Sequence, residues 1–454
     1  MKGFEKFFAG KRVTLMGLGL LGRGVGDAEF LAQCEAILTV TDRKSERELA
    51  DSVERLKKYA NITFRLGGHQ KEDFSPPVGG CDLVIKAAGV PLDSPEIAAA
   101  HEAGVSVYMS TALFAKFASE AGAIIVGVTG TRGKTTVTRL IFHALSELGK
   151  PARLGGNIRG LSTLAMLPEI QTGDIIVLEL DSWQLQGFGD LKISPHVAVF
   201  INLFPDHMNY YGGSMEKYFA DKANIFRFQK PGDVLVAGAS IADRIRASRP
   251  PLDPVVPDSI PREWKLKVIG EHNRENAALA AAALAALGIS DKDIQSGLGS
   301  FEGVEGRLQF VREVNGVKIY NDNNATTPEA TIAALRALGD PRHANVVLII
   351  GGDEKNLDMS KLVEEIPKWC SGVVLFKERG TDRIRDAVLA LEPQVHVYER
   401  DGLEATVERA WAVAKPGETI LYSPAFSSFG KYFKNEFDRN DQFVRLVQNL
   451  GAKP

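Results

Sequence analysis

The stretch Gly127-Val128-Thr129-Gly130-Thr131-Arg132-Gly133-Lys134-Thr135-Thr136 decides how this chain is read. Ahead of it, Ala123-Ile124-Ile125-Val126 is short, apolar and partly β-branched, which predicts a buried parallel strand. Behind it, Val137 to Leu148 carries apolar residues at helical spacing and stops at Gly149, Lys150 and Pro151. A glycine-rich turn therefore joins a strand to a helix N-terminus, with Gly-Lys-Thr at the junction. Backbone N–H groups and the helix dipole in such a turn receive phosphate oxygens, Lys134 reaches the terminal phosphates, and the Thr135 hydroxyl can ligand Mg²⁺. One position departs from the general pattern: Val128 stands where a glycine is usual, and glycines occupy 127 and 130 instead. The plainer alternative, a tight turn carrying a surface lysine, does not account for the strand and helix on either side. A nucleoside triphosphate site is the favoured reading.

The chain has 454 residues, too many for one ordinary core, so two to four domains are expected. Its 44% apolar and 24% charged content is that of a globular protein. A net charge of −3 gives no electrostatic case for nucleic acid or an acidic membrane surface as partner. Cys34, Cys81 and Cys370 are far apart and form no CxxC, so neither a disulfide framework nor a zinc site is indicated. The run Ala277 to Leu287 is too short and too weakly hydrophobic to span a bilayer and reads as a packed helix. Near the start, glycines, Arg23 and Asp27 interrupt what would have to be the apolar part of a signal peptide. A cytoplasmic location follows from these features.

Working outward, Lys11 to Met16 predicts a first strand, and Gly17-Leu18-Gly19-Leu20-Leu21-Gly22 a GxGxxG turn. Ile37 to Asp42 supplies a second strand ending in a carboxylate. Alone this is a dinucleotide-binding fingerprint, with Asp42 on a ribose, and a ligand-free close turn is its bland alternative. Strands at 83–86 and 105–108 continue the alternation to about residue 117. After the phosphate loop, Asp174 to Leu180 is a strand with Glu179 near its carboxyl end, where open α/β sheets bind ligands. His196 to Asn202 is another strand, feeding a loop with Asp206 and His207. Lys222 lies in a helical segment, 215–226, and a proline-rich connection runs from Pro250 to Pro261. Gly270 to Asn276 opens the Ala-rich helix. Around 300–306 a Gly/Glu-rich linker is expected, and strands at 317–320, 346–350, 373–376, 395–398 and 419–422 build a third α/β unit.

Phosphoryl transfer needs charge neutralisation and positioning more than covalent help. Glu179, Asp206, His207 and Lys222 follow the loop in strand order and can supply both. Each has a dull reading: a carboxylate that caps a helix, a structural histidine, a surface lysine. Together they describe a metal–nucleotide site.

These pieces, taken with others, resemble the Mur ligase family. The matching stretches are Gly127–Thr136, Leu178–Gln184, Gly156-Asn157-Ile158, Asn202 with Asp206-His207, and Lys222. Further on they are His272-Asn273 with Asn276, Gly306-Arg307, Tyr320-Asn321-Asp322 with Ala325-Thr326, Gly351-Gly352-Asp353 with Lys355, and Ser423-Pro424-Ala425. The resemblance covers nearly the whole chain and is closest to members that add glutamate to UDP-N-acetylmuramoyl-L-alanine. It implies an α/β protein of three domains: an N-terminal Rossmann-like domain for the UDP-substrate (1–117), a central P-loop ATPase-type domain (118–303), and a C-terminal Rossmann-like domain (304–454). The last would bind the incoming amino acid and close on ATP.

The resemblance further implies residue roles. Gly17, Leu20, Asp42, Arg43, Asn157, Gln184 and His207 would contact the UDP-substrate. Gly130, Thr131, Gly133, Lys134, Thr135, Thr136, Asn273, Asn276, Arg307 and Asp322 would bind ATP, with Asn273 and Asn276 on adenine, Asp322 on ribose and Arg307 on phosphate. Thr135, Glu179, His207 and a carbamylated Lys222 would hold Mg²⁺ at two sites; CO₂ turns that lysine into a carboxylate-like oxygen ligand. Lys134, Glu179, His207 and Lys222 would form the catalytic set, Lys134 contacting only nucleotide phosphates. Thr326, Lys355, Ser423 and Ser428 would bind the amino acid. The implied reaction is ATP-dependent amide formation through an acyl phosphate, in a monomer that uses neither nucleic acid nor membrane. D-glutamate is the favoured acceptor and L-glutamate the alternative.

Four departures from the family pattern stand out: Arg132 for Asn, Asp181 for Ser, Asn324 for Lys, and one extra residue between Phe426 and Asn435. The last two fall near the expected amino-acid pocket. Three rival functions remain open: a different amino-acid ligase, including the folylpolyglutamate synthase type; an NAD-dependent oxidoreductase built on Gly17–Gly22; and a phosphate-loop switch whose ATPase serves binding.

Overall fold

The structure is a computed structural model that describes residues 2–451 except 20–21, 76–80, 159, 355 and 429. Leu20 and Lys355 therefore lie outside the described residues. Three sheets organise the chain, and most of their strands are apolar on both faces, as strands covered by helices on each side must be.

The first sheet holds β1 (Arg12–Met16), β2 (Ile37–Asp42), β3 (Ile62–Leu66), β4 (Leu83–Lys86) and β5 (Ser106–Tyr108) in the order β3-β2-β1-β4-β5. Every pairing in it is parallel. The order reverses between β1 and β4, and the Gly17 turn leaves β1 at that switch point, where doubly wound sheets bind ligands.

The second sheet holds β6 (Ile124–Thr129), β7 (Ala152–Gly156), β8 (Ile175–Glu179), β9 (Val197–Phe200) and β10 (Val234–Ala237), ordered β10-β9-β6-β8-β7 and again parallel. The phosphate loop thus opens from the central strand.

The third sheet has β11 (Gln309–Val314), β12 (Val317–Asn321), β13 (Val346–Ile350), β14 (Cys370–Phe376), β15 (His396–Arg400) and β16 (Thr419–Tyr422), ordered β11-β12-β16-β13-β14-β15. It is mixed, because β11 runs antiparallel to β12.

Residues 1–261 with 276–298 form one compact unit, and residues 262–275 with 299–454 form another. The first two sheets share the first unit and one continuous apolar core, in which Phe8, Phe30, Phe114 and Phe117 join Leu164, Leu185 and Phe188. Polar pins supplement it: Ser162 Oγ donates to the buried Asp27 Oδ1 at 2.5 Å, and Gln184 Nε2 to Thr111 Oγ1 at 3.0 Å. The third sheet has its own core, led by Leu348, Ile350, Leu375 and Leu421 on one face and Ile349, Val374, Tyr422 and Phe443 on the other. No helix among the described residues is long and apolar enough to cross a membrane.

β3, β7 and β11 are strands that the apolar pattern does not announce. β7 is Ala-Arg-Leu-Gly-Gly, and its glycines read as loop until the fold shows why they are needed. Gly156 sits at φ 86°, and a Cβ there would lie 2.1 Å from the Glu179 carbonyl oxygen. Gly156→Ala should therefore combine left-handed strain of about 1–2 kcal/mol with overpacking of about 1–3 kcal/mol. A urea midpoint unchanged from wild type would refute that close approach.

Candidate active site

The phosphate loop is held open by its own strand neighbours. Thr129 Oγ1 donates to Leu180 O at 2.8 Å, fixing the base of the loop to the segment after β8. Asn202 Oδ1 accepts from the backbone N–H of Thr131 at 3.1 Å and of Arg132 at 3.0 Å. Gly133 (φ 83°) is the N-cap of the Lys134–Glu147 helix, and a Cβ on it would meet Asn276 Oδ1 at 2.5 Å, so the Asn276 amide lies against the loop. Lys134 Nζ donates to Gly130 O at 3.0 Å and Thr131 O at 3.1 Å. The expectation that Lys134 touches phosphates alone is thereby corrected: its ammonium also bridges two loop carbonyls. Thr131 is likewise engaged inside the protein, its Oγ1 accepting from Phe204 N at 2.9 Å.

Glu179 ends β8 and pairs in register with Val128 on one side and Gly156 on the other. It is 4% exposed, and its Oε2 has no hydrogen-bond partner among the described residues. An uncompensated buried carboxylate oxygen is costly unless a cation meets it.

Lys222 closes the Met215–Lys222 helix, fully buried, with Nζ donating to Gly130 O at 3.0 Å and Thr129 Oγ1 at 3.3 Å. Burial, reinforced by the nearby Lys134 charge, holds its ammonium well below the usual lysine range. The neutral amine is the form that combines with CO₂.

His207 adopts φ 53°, places Nε2 3.6 Å from Asp206 Oδ2, and packs its ring 4.6 Å from that of Trp183. Burial lowers its pKa, which favours the neutral, ligating imidazole. Among the described residues no three His, Cys, Asp or Glu side chains gather as a metal cage. The bare Glu179 oxygen and the Thr135 hydroxyl are of the kind a hard cation takes, and the buried Lys222 amine would join them only if CO₂ supplied it with oxygens.

At the switch point of the first sheet, Gly17 (φ 99°) donates to Thr41 O at 2.8 Å. Asp42 is turned inward. Its Oδ2 accepts from the N–H of Leu18 at 2.9 Å and of Gly19 at 3.0 Å, and its Oδ1 from Lys44 N at 2.9 Å. Arg43 is exposed beside it. Asn157 N donates to Glu179 O at 2.8 Å, while its Oδ1 accepts from Arg23 Nη2 at 3.2 Å. Gln184 is buried, with Oε1 accepting from Asp181 N at 3.1 Å and Nε2 bonded to Thr111. Both ends of that amide serve the protein.

In the second unit the loops after β12, β13 and β16, three adjacent strands, meet at their carboxyl ends. Ala425 N donates to Ala325 O at 2.9 Å, and Asp353 and Ser427 exchange backbone bonds of 2.9 and 3.1 Å. Thr326 is half-buried here, and Ser428 is buried. Ser423 Oγ donates to Asp322 Oδ2 at 2.9 Å and lies 2.9 Å from Thr331 Oγ1. Burial raises the Asp322 carboxyl to about 7.

Asn324 Nδ2 reaches Glu305 O at 3.3 Å. Arg307, within the same unit, adds a positive charge that acts on Asp322. Asn273 Nδ2 donates to Ile269 O at 2.8 Å. One residue that sequence reasoning missed is Arg439, 1% exposed, which donates to Asn323 Oδ1 at 2.8 Å, Asn323 O at 2.7 Å and Phe426 O at 3.2 Å. An arginine in an amphipathic helix reads as surface, and no motif marks it.

Fold and site define a phosphate-loop enzyme whose chain carries two further α/β sheets. Residues 128–251 match the Mur ligase middle domain, and residues 306–426 the Mur ligase glutamate ligase domain. The chain is 36% identical over 480 residues to the UDP-N-acetylmuramoylalanine–D-glutamate ligase of Roseiflexus sp. (strain RS-1), covering 97% of this chain and 99% of that protein. With the enzyme of the same name from Geobacillus kaustophilus it shares 34% identity over 475 residues, covering 98% and 99%. The chain belongs to the Mur ligase family. The crystal structure of UDP-N-acetylmuramate-alanine ligase from Thermotoga maritima has the same fold, with a TM-score of 0.61 at 20% identity over 97% of this chain and 99% of that one.

Proposed function

We propose that this protein is an ATP-dependent ligase that adds D-glutamate to UDP-N-acetylmuramoyl-L-alanine in cytoplasmic peptidoglycan precursor synthesis. The observation that carries the chemistry is the buried Lys222 amine held against the base of the phosphate loop, one strand from the bare Glu179 carboxylate. The near full-length likeness to ligases of that name supports the choice of substrates.

In this reading the substrate carboxylate attacks the γ-phosphorus of ATP, the bond to the bridging oxygen breaks, and ADP leaves an acyl phosphate. The glutamate amine then attacks the carbonyl carbon, loses a proton, and inorganic phosphate departs. Lys134 and the loop N–H groups stabilise charge on the transferring group. Two Mg²⁺ ions, held by Thr135, Glu179, His207 and carbamylated Lys222, would supply further neutralisation. Asn157, carried on the Glu179 carbonyl, orients the UDP-linked substrate, and Thr326, Lys355, Ser423 and Ser428 receive the amino acid. Asn276 and Asn273 take the adenine, Asp322 the ribose, and Arg307 a phosphate oxygen. The three domains would span 1–117, 118–303 and 304–454, and the working form is a monomer.

Phosphate release from ATP tests the whole scheme. It should stay near background with ATP alone and rise when UDP-N-acetylmuramoyl-L-alanine and D-glutamate are both present. Substrate-independent hydrolysis would instead favour a phosphate-loop switch. Chirality is tested separately with pure enantiomers: a kcat/KM that favours L-glutamate tenfold, about 1.4 kcal/mol in the barrier, overturns the D assignment. Asn324, an amide where a cation is usual, is the first position to change in that event.

A further inference from the structure

Trp183 is the second residue of the Ser182–Leu191 helix, which leaves the carboxyl end of β8 directly after Glu179, Leu180 and the N-cap Asp181. Its indole Nε1 is buried and, among the described residues, has no hydrogen-bond partner. The surroundings explain why none is found. The ring lies 4.6 Å from that of His207, whose Nε2 faces Asp206. It also meets the Tyr210 ring edge-on at 5.6 Å, and the Tyr210 hydroxyl already accepts from Gln186 Nε2 at 3.0 Å. The next residue, Gln184, has its amide committed to Asp181 and Thr111. Among the described residues the helix start therefore carries one uncommitted side-chain donor, an indole whose ring lies beside His207.

A buried N–H without an acceptor is unfavourable, and in native proteins such a group calls for a partner, whether an ordered water, an ion or a ligand oxygen. We propose that Trp183 Nε1 donates a hydrogen bond to a carbonyl or carboxylate oxygen of the UDP-linked substrate, near its reacting end. Trp183 is then a substrate-binding residue that discriminates for an acceptor oxygen at that position. The inference rests on the ligase reading above.

The test is Trp183→Phe, which keeps an aromatic ring against His207 and removes the donor. The expected result is a roughly tenfold fall in kcat/KM for UDP-N-acetylmuramoyl-L-alanine, with KM for ATP within about twofold of wild type. Because the chain has 4 tryptophans, the wild-type indole N–H resonances give a second readout that needs no mutation. One of them should move downfield when UDP-N-acetylmuramoyl-L-alanine is added without ATP, and stay in place with UDP alone. The proposal is overturned if no resonance moves, or if Trp183→Phe leaves kcat/KM for the UDP-substrate unchanged in an enzyme whose wild type ligates. Absence of ligation by the wild type would count against the ligase reading itself, so the two failures are separable.

Discussion

Lys134→Ala is expected to lower kcat/KM by at least about a hundredfold, roughly 3 kcal/mol in the barrier, the amount typical for losing one preorganised charge at a developing phosphoryl centre. The geometry adds a second reason for a large effect. Lys134 Nζ also spans Gly130 O and Thr131 O, so its removal leaves two carbonyls of the loop without that donor. Both losses fall on the same step, but they differ in how they respond to a substitute. Lys134→Arg retains a cation able to reach the carbonyls and alters where the charge sits. It should hold ATP nearly as well as wild type while turnover stays low. Nucleotide affinity measured by calorimetry beside phosphate release separates the two contributions. Turnover like that of wild type in Lys134→Ala would remove the phosphate loop from the mechanism.

Lys222→Ala should be nearly inactive, by roughly a hundred- to a thousandfold, and its behaviour toward small acids distinguishes two roles for this side chain. If the amine carries CO₂, acetate or formate can occupy the space left and restore part of the activity. If Lys222 acts only as the pin that ties its helix to Thr129 and Gly130, the variant should melt earlier and no carboxylate should help. Burial lowers the pKa of the amine, so carbamylation should demand less alkaline conditions than a free lysine would. Activity of the wild type should rise with added bicarbonate after exhaustive removal of CO₂ at pH 7. Indifference to both acetate and bicarbonate would leave the pin as the whole role of Lys222.

Much of this arrangement is legible in the sequence wherever chemistry and backbone constraint coincide. Gly133 must take a positive φ ahead of the Lys134 helix, and only a short list of residues tolerates it, so the loop declares itself. β13 is an uninterrupted apolar run, and β8 is one up to its terminal Glu179, a pattern that matches a doubly covered sheet. β7 escapes notice because its requirement is for the absence of side chains beside Glu179, which composition renders as a loop. β11 escapes for another reason: Gln-Phe-Val-Arg-Glu-Val is an edge strand with a register shift at Phe310/Arg312, antiparallel in an otherwise parallel sheet.

The burial of Lys222 leaves only a faint trace, a tyrosine one helical turn earlier. Tyr218 is buried on the same face, its ring centroid 5.0 Å from the ammonium. The contact between Asp322 and Ser423 leaves none, since it joins residues 101 positions apart through the adjacency of β12 and β16.

The inward turn of Asp42 bears on inhibitor chemistry. Its carboxylate already occupies the N–H groups of Leu18 and Gly19, so the turn after β1 keeps its shape by internal bonds. A ligand entering that crevice meets a cradle whose ordering entropy was spent during folding, and little is lost again on binding. Rigid, flat heterocycles should therefore bind there with a favourable entropy relative to flexible diphosphate mimics. Asp42→Asn, which weakens the internal acceptor without emptying it, should show its main effect as a larger entropic penalty in calorimetry for the same compound.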